Sequence, residues 1–152
     1  MRRAIAVHPV GHWQGEAAVD RVTLAFLDRH RRRLRLVADS GTPFLLDLPR
    51  VRHLIDGDGL ELDDGSRIRV CAAAEPVIEI TADRPADLLR IAWHIGNRHL
   101  PLQVLEGRLR LLADPVVAAM IEGLGGKIAR REAPFDPESG AYADATHRHD
   151  HP

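Results

Sequence analysis

Histidines give this sequence its clearest chemical signal. His147, His149 and His151 occupy alternate positions near the end of the chain. In an extended chain such side chains point to one side, about 6 to 7 Å apart, and imidazole is a good ligand for nickel, zinc and copper. The alternative is a solvated tail or a tag remnant, although the interleaved Arg148 and Asp150 do not resemble a homopolymeric tag. We predict a flexible, exchangeable metal site.

His99 is a second candidate ligand, in a different setting. It follows the predicted end of a helix at Gly96-Asn97 and precedes Leu100-Pro101, where the chain is expected to be ordered and partly exposed. One imidazole cannot hold a metal tightly, but a two-fold dimer with this corner on its axis would pair His99 from both subunits. The alternative is a histidine that caps the helix or bonds a backbone carbonyl. His94, beside Trp93, is predicted to pack or cap rather than to ligate.

Other chemistry is poorly represented. The remaining histidines form no chelating pattern in ordered structure: His8, His12, His30 and His53. A single cysteine, Cys71, excludes a disulfide framework and a multi-thiolate zinc site within one chain, and its apolar setting favours a buried small hydrophobe. No metalloprotease, serine hydrolase, nucleotide-loop or cysteine-nucleophile motif occurs, so the sequence does not indicate an enzyme.

Composition limits the partners. Among 152 residues, 21 basic and 22 acidic side chains leave a formal charge of -1, which provides no strong field for nucleic acid or an anionic membrane. The basic run 29–35 lacks interleaved aromatics, so we interpret it as a solvated or edge strand that could still contact an acidic protein. The signal-like N-terminus is interrupted by His8, Pro9 and His12, and no transmembrane run follows. A cytoplasmic protein is expected.

The elements that position these residues fall into two regions. In the first, short apolar segments alternate with turn residues. The turns are predicted at residues 39–41, 56–59 and 63–65, where aspartate, serine and glycine cluster. The strands are predicted at residues 22–27, 34–37, 44–48, 60–62 and 67–71.

The second region changes in character. A strand at 77–81 precedes Asp83 and Pro85, an acidic cap candidate and a first-turn proline, and the helix should end where Gly96 or Asn97 turns left-handed. Strands at 101–105 and 108–112 flank a hairpin turn, Asp114-Pro115 opens a second helix, and residues 127–131 form a last strand. This β-α-β-β-α-β order is ferredoxin-like.

The predicted fold class is therefore α+β. A small all-β domain, residues 1–75, precedes a ferredoxin-like domain, residues 76–134. Residues 135–152 are predicted to form a disordered, histidine-containing tail, because prolines and polar residues replace the apolar periodicity there. Such a fold alone specifies no function.

Three segments together resemble a known family. They are His94-Ile95-Gly96-Asn97-Arg98-His99-Leu100-Pro101-Leu102-Gln103, Leu124-Gly125, and Phe135-Asp136-Pro137-Glu138-Ser139-Gly140-Ala141-Tyr142 with its histidine-bearing tail. They resemble the UreE family, the urease accessory nickel metallochaperones, across nearly the whole chain. The two-region organisation also matches that family's N-terminal β domain and C-terminal ferredoxin-like domain.

The resemblance implies a homodimer through the C-terminal domains, with His99 as the interfacial nickel ligand and the tail histidines as more exchangeable ligands. It implies delivery of Ni(II) to apo-urease together with the other urease accessory proteins, including the GTPase. The N-terminal domain would resemble a peptide-binding module that serves protein contacts. Two departures matter: residues 112–115 carry no histidine, and the tail is short. Transfer of one or a few ions is thus expected rather than storage.

The resulting hypothesis is a dimeric cytoplasmic nickel chaperone that is not an enzyme. Its affinity for nickel should fall below about pH 6, because imidazoles in general protonate there. The residues alone do not select nickel, so Zn(II) or Cu(II) should also bind in vitro. Two rivals stay open. One is a protein-interaction scaffold of the urease activation complex with incidental metal binding; the other is a metal-dependent hydrolase, disfavoured because no carboxylate adjoins His99.

Overall fold

The structure is a computed structural model that describes residues 1–138 of the chain. The chain divides into two compact units, Met1–Ala73 and Ala74–Pro152. The first unit is built on a six-stranded sheet, and the second combines a four-stranded sheet with two α-helices. The predicted α+β class is confirmed. No helix within residues 1–138 is long and apolar enough to cross a membrane.

The first unit contains six strands and two short 3-10 helices, Gly15–Ala17 and Phe26–Arg29. The strands are β1 (Arg3–His8), β2 (Asp20–Leu24), β3 (His30–Val37), β4 (Pro43–His53), β5 (Gly59–Leu62) and β6 (Arg67–Ala72). They are ordered β2-β6-β5-β1-β4-β3 in the sheet. The β2/β6 and β1/β4 pairs are parallel, and the other pairs are antiparallel.

Alternation of apolar residues explains the core of this unit. In β4, Phe44, Leu46 and Leu48 are buried, whereas the intervening Leu45 and Asp47 are half-buried. Strand β6 buries its apolar residues in the same alternating way. Full burial of such a side chain contributes about 1.5–3 kcal/mol, so the alternation fixes which face of each strand points inward.

The basic run 29–35 provides most of β3, which lies at one edge of the sheet. Its interpretation as an edge strand is confirmed. Arginines at an exposed edge discourage uncontrolled pairing with the strands of other chains.

Two features of the first unit were not predicted. Strand β1 lies inside the sheet, between β5 and β4, whereas its apolar run, residues 4–7, was expected only to form part of the interrupted, signal-like N-terminus. The strand predicted at 22–27 instead ends at Leu24. Arg29, which is fully buried, donates from Nε to the carbonyl of Leu24 at 3.1 Å and from Nη1 to that of Leu54 at 3.3 Å. One bond reaches back five residues and the other forward 25 residues, and together they hold the 3-10 turn in place.

The second unit contains β7 (Ala74–Thr81), α1 (Pro85–Asn97), β8 (Gln103–Leu105), β9 (Arg108–Leu112), α2 (Pro115–Gly123) and β10 (Lys127–Pro134). Its sheet has the order β10-β7-β9-β8, with every pair antiparallel. The elements follow the β-α-β-β-α-β order along the chain. The core joins sheet residues to helix residues: Ile78, Ile80, Leu109, Leu111, Ile91, Ile95, Ala118 and Ile121.

The two helices start differently. Asp114 caps α2 as predicted, because its carboxylate accepts the N–H groups of Val116 and Val117 at 2.8 and 3.1 Å. The predicted acidic cap of α1 is wrong. Its N-cap residue is Arg84, which makes no side-chain cap bond, and Asp83 instead pairs with Lys127 at 2.6 Å.

A buried carboxylate organises the second sheet. Glu79 is 7% exposed and contacts Arg110 at 2.6 Å, Arg131 at 3.2 Å and Arg108 at 3.3 Å. Hydrogen bonds from Arg110 and Arg131 lower the pKa of Glu79 to about 2, although burial acts in the opposite direction. The carboxylate on β7 is therefore held in its charged form by arginines of the two flanking strands, β9 and β10.

The packed structure of the second unit continues past residue 134, so the predicted tail begins too early. Phe135 is fully buried. The N–H of Asp136 donates to Oε1 of Gln103 at 3.0 Å, and that of Glu138 to the carbonyl of Leu102 at 2.8 Å. One aromatic side chain and two backbone bonds thus hold a segment whose composition is polar.

Candidate metal site

His99 lies two residues beyond α1 in a backbone conformation that side chains rarely adopt. Its φ is +59°, in the left-handed region. Its N–H donates to the carbonyl of Gly96 at 3.0 Å, and the N–H of Leu100 donates to that of Ile95 at 3.3 Å. These bonds form a Schellman motif, in which this position is usually glycine. A side chain there costs roughly 1–2 kcal/mol.

The end of α2 provides an internal comparison. The N–H of Gly125 donates to the carbonyl of Glu122 at 3.1 Å, and that of Gly126 to Ile121 at 3.0 Å. Gly125 has φ +91°. The motif is the same, but the left-handed residue is the favoured glycine. Histidine at the equivalent position of α1 takes a conformation that glycine would adopt at a lower cost.

The prediction that Gly96 or Asn97 takes the left-handed conformation is wrong. Both residues remain helical, and the left-handed residue is His99. Ile95 is fully buried in the core, so keeping the last turn helical preserves its contacts. The predicted place of His99, just beyond the helix, is confirmed.

The surroundings of His99 limit what one chain can bind. His99 is exposed, whereas His94 is half-buried, with its ring edge-on to Trp93 at a centroid distance of 5.0 Å. Within residues 1–138 no group of three or more His, Cys, Asp or Glu side chains is arranged to hold a metal ion. The predicted ligands His147, His149 and His151 lie outside the described residues. A metal at His99 would need them, or a second copy of the chain.

An apolar stripe on α1 leads toward this position. Leu89 and Trp93 are 71% and 64% exposed. Gly96 is also exposed, and a Cβ there would meet no atom of the chain within 4 Å. Residues at these spacings share one helix face. We call Leu89, Trp93 and Gly96 the α1 stripe.

Two histidines that looked scattered in the sequence are brought together in the first unit. The rings of His30 and His53 lie 5.7 Å apart, and Phe26 lies 5.1 Å from His53. Burial, then the charge of Arg29, then His30, lower the pKa of His53 to about 4; burial also lowers the pKa of His30. The pair could not be predicted from the sequence, because a shift of register separates it from the regular part of the β3–β4 hairpin.

We expect the first unit to lose stability as the pH falls from about 6.5 to 4. The unfolded chain binds a proton at His53 near its ordinary pKa of 6.5, whereas the folded chain binds it only near 4. The unfolded state therefore holds more protons in this window. Because His53 as a whole is only half-buried, we expect a loss on the order of 1–2 kcal/mol.

Urea unfolding between pH 7 and pH 4 measures this loss. His53→Gln should flatten the pH dependence, whereas His12→Gln, at an exposed residue of the same unit, should leave it unchanged. If the stability of His53→Gln falls as steeply with pH as that of the unchanged chain, other titrating groups cause the loss.

Two further sequence features have structural roles. Cys71 is half-buried, and burial raises the pKa of its thiol, which disfavours the nucleophilic thiolate. In the acidic turn before β5, the Asp58 carboxylate accepts the N–H groups of Val10 and Ile55, each at 2.9 Å. Both residues are accounted for by packing or backbone bonding.

Comparison with known proteins matches both units. The first, residues 3–73, matches the family model of the N-terminal domain of the UreE urease accessory protein. Residues 75–152 match the model of its C-terminal domain. Together the two models extend over almost the whole chain.

Individual relatives agree. The chain is 52% identical over 149 residues to the urease accessory protein UreE of Bradyrhizobium sp. (strain ORS 278), covering 98% of this chain and 70% of that protein. It is 53% identical over 145 residues to UreE of Rhodopseudomonas palustris (strain HaA2), covering 95% and 67%. It is 47% identical over 152 residues to UreE of Rhodobacter capsulatus, covering 99% and 94%.

Proposed function

The chain belongs to the UreE family of urease accessory proteins, and from this membership we propose that it binds Ni(II) and delivers it to apo-urease during metallocentre assembly. The resemblance drawn from the motif residues is confirmed, and with it a role in urease assembly. Nickel as the cargo and delivery as the activity are the proposed parts. In this proposal the protein is an accessory factor and not an enzyme.

The observation that carries the proposal is the exposed His99 in its left-handed backbone. Glycine would fit this position at less cost, as it does at Gly125. A metal ligand at an exposed, rigid helix end would explain why an imidazole is retained there. A single nitrogen leaves most coordination positions of Ni(II) open, so the ion can be passed on.

We propose that two chains pair through the α1 stripe. Leu89 and Trp93 expose apolar surface to solvent, and Gly96 on the same face has no side chain to keep a second helix at a distance. A close approach by a second helix would account for both. A two-fold axis near the end of α1 would bring the two His99 imidazoles together.

The remaining parts of the proposal follow the family. The tail histidines His147, His149 and His151 would complete or feed the paired site, and Zn(II) or Cu(II) would compete for it in vitro. The second unit would be a ferredoxin-like domain, since its antiparallel order matches that arrangement. Urease apoprotein and the other accessory proteins, including the GTPase, would be its cytoplasmic partners.

Activation of apo-urease tests the delivery role. The nickel-loaded protein is the only nickel source, in a mixture with the other accessory proteins and a chelator that captures free ions. His99→Gly should lower the activation rate by roughly tenfold or more, as expected for loss of a ligand, and a chain ending at Thr146 should retain part of it. Full activation by His99→Gly would favour the scaffold role instead.

A further inference from the structure

An apolar groove lies in the second unit, beside the candidate metal site. Its volume is about 290 Å³, at the lower limit of the roughly 300–1,000 Å³ that ligand pockets occupy. This size suits one large side chain better than a cofactor. The walls come from the chain just after His99, the end of β9 and the start of α2, and they include Leu100, Pro101, Leu112, Ala113 and Val117. We call it the α2 groove.

Two further residues of the α2 groove suit a phenol ring. Phe135 lines the groove and is fully buried, so an aromatic side chain inside the groove would meet a second ring. Asp114 also lines it, and one carboxylate oxygen, Oδ1, accepts both N–H groups that cap α2. Among the described residues no donor bonds the other oxygen, Oδ2. A phenolic O–H is a donor that this oxygen can accept.

The described part of the chain ends beside the α2 groove. The N–H of Asp136 donates to the side chain of Gln103, and two residues later the N–H of Glu138 donates to the carbonyl of Leu102. The chain thus passes Gln103 first and Leu102 second. Continued in this direction, it approaches residues 100–101, which line the groove.

The sequence that follows supplies a suitable side chain within reach. Residues 139–152 lie outside the described residues, and Tyr142, the single tyrosine of the protein, is the one Phe, Tyr or Trp among them. Tyr142 follows Glu138 by four positions, which an extended backbone spans in roughly 13 Å. Pro101 in the groove wall is one residue from Leu102, a Cα distance of about 3.8 Å. The available length is therefore sufficient.

We propose that Tyr142 inserts its ring into the α2 groove of its own chain and anchors the C-terminal segment next to His99. The ring packs against Val117 and Phe135, and its O–H donates to Asp114. The chain's own tyrosine is favoured over a second copy or a free ligand, because it is tethered beside the groove at a high effective concentration.

The anchor has a consequence for the metal site that rests on the proposed function. His147 follows Glu138 by nine positions but Tyr142 by only five. Effective concentration falls roughly as the −3/2 power of tether length, so anchoring at Tyr142 raises that of the tail histidines near His99 by about twofold.

The test is fluorine NMR of the full, metal-free chain labelled with 3-fluorotyrosine. Because the protein has one tyrosine, the spectrum reports Tyr142 alone. The signal should be displaced from its position in urea and protected from a soluble gadolinium chelate. Ala113→Phe, which fills the groove from an exposed position, should return the signal to the urea position. Ala119→Phe, at an exposed position of α2 outside the groove lining, should leave it displaced.

Three outcomes overturn the anchor. They are a signal at the urea position in the unchanged chain, equal effects of the two phenylalanine variants, and a displacement that disappears on dilution, which would assign the contact to a second copy. Val117→Ala is a second groove variant, and it keeps a good helix-forming residue in α2. It removes two methyl groups from the wall, so the signal should move part of the way toward the urea position.

Nickel titration separates the anchor from the proposed function. Tyr142→Ser should lower the nickel affinity by about twofold, the ratio of the effective concentrations, whereas Tyr142→Phe, which keeps the ring, should retain it. A displaced fluorine signal with nickel binding unchanged in Tyr142→Ser would leave the anchor standing and contradict its effect on the metal site. A signal at the urea position would remove the anchor and leave the nickel role to its own tests.

Discussion

Replacement of His99 by alanine is expected to lower nickel affinity by about 100-fold or more and to remove one ion per two chains. In the proposed dimer the two chains share one site, so this substitution removes both of the His99 ligands from it. Calorimetric titration of the nickel-free protein, with the oligomeric state measured in parallel, gives affinity and stoichiometry together. Truncation after Thr146 should remove only weaker binding.

The left-handed backbone allows a matched pair of controls. His99→Gly and His99→Ala both lack the imidazole, but alanine keeps the strained conformation that glycine relieves. We expect the glycine variant to unfold with a free energy about 1 kcal/mol higher than the alanine variant. Gly125→Ala should lose a similar amount at α2 while nickel binding stays intact.

The nickel model fails if His99→Ala and His99→Gly bind as tightly as the unchanged chain and only truncation after Thr146 abolishes binding. The metal would then belong to the tail, and the role of His99 would be structural. A protein-interaction scaffold with incidental metal binding would become the better description.

Trp93→Asp is expected to raise the dimer dissociation constant by about 100-fold or more, because large exposed aromatics act as interface anchors. A carboxylate on the α1 stripe would face its own copy across the two-fold axis, where like charges repel. Analytical ultracentrifugation over a concentration series measures the shift. Nickel affinity should fall in parallel, since the two His99 side chains would meet less often.

Leu27→Asp is the matched control for this substitution. Leu27 is 69% exposed but belongs to the first unit, so a charge there should leave the dimer intact. A dimeric Trp93→Asp protein would place the interface elsewhere and remove the reason for pairing His99 across it.

Features decided by a few neighbouring residues could be predicted from the sequence. Asp114 caps α2 through the next N–H groups along the chain, and Gly107, with φ +71°, provides the expected hairpin turn. The place of His99 just after α1 is of the same kind. Each depends on local steric and hydrogen-bonding preferences that tertiary packing did not override.

Features decided by distant residues could not be predicted. The inner strand β1 depends on partners far along the chain, and Arg29 ends β2 early by reaching Leu54. The His30–His53 contact depends on a register shift between β3 and β4, which the local sequence does not predict. At the candidate site, Ile95 is buried in the last turn of α1, and the helix continues past Gly96. His99, and not Gly96 or Asn97, therefore takes the left-handed conformation.

The carboxylate of Glu79 gives the two units different tolerance of acid. Its folded pKa of about 2 lies below its ordinary value of 4.5, so its contribution to stability is complete above that value and is lost only as the pH falls toward 2. The contribution of His53 is already declining below pH 6.5. Between these limits the centre of the second sheet stays ionised while the first unit weakens. Acid should therefore act on the chain in stages, affecting the first unit before the second.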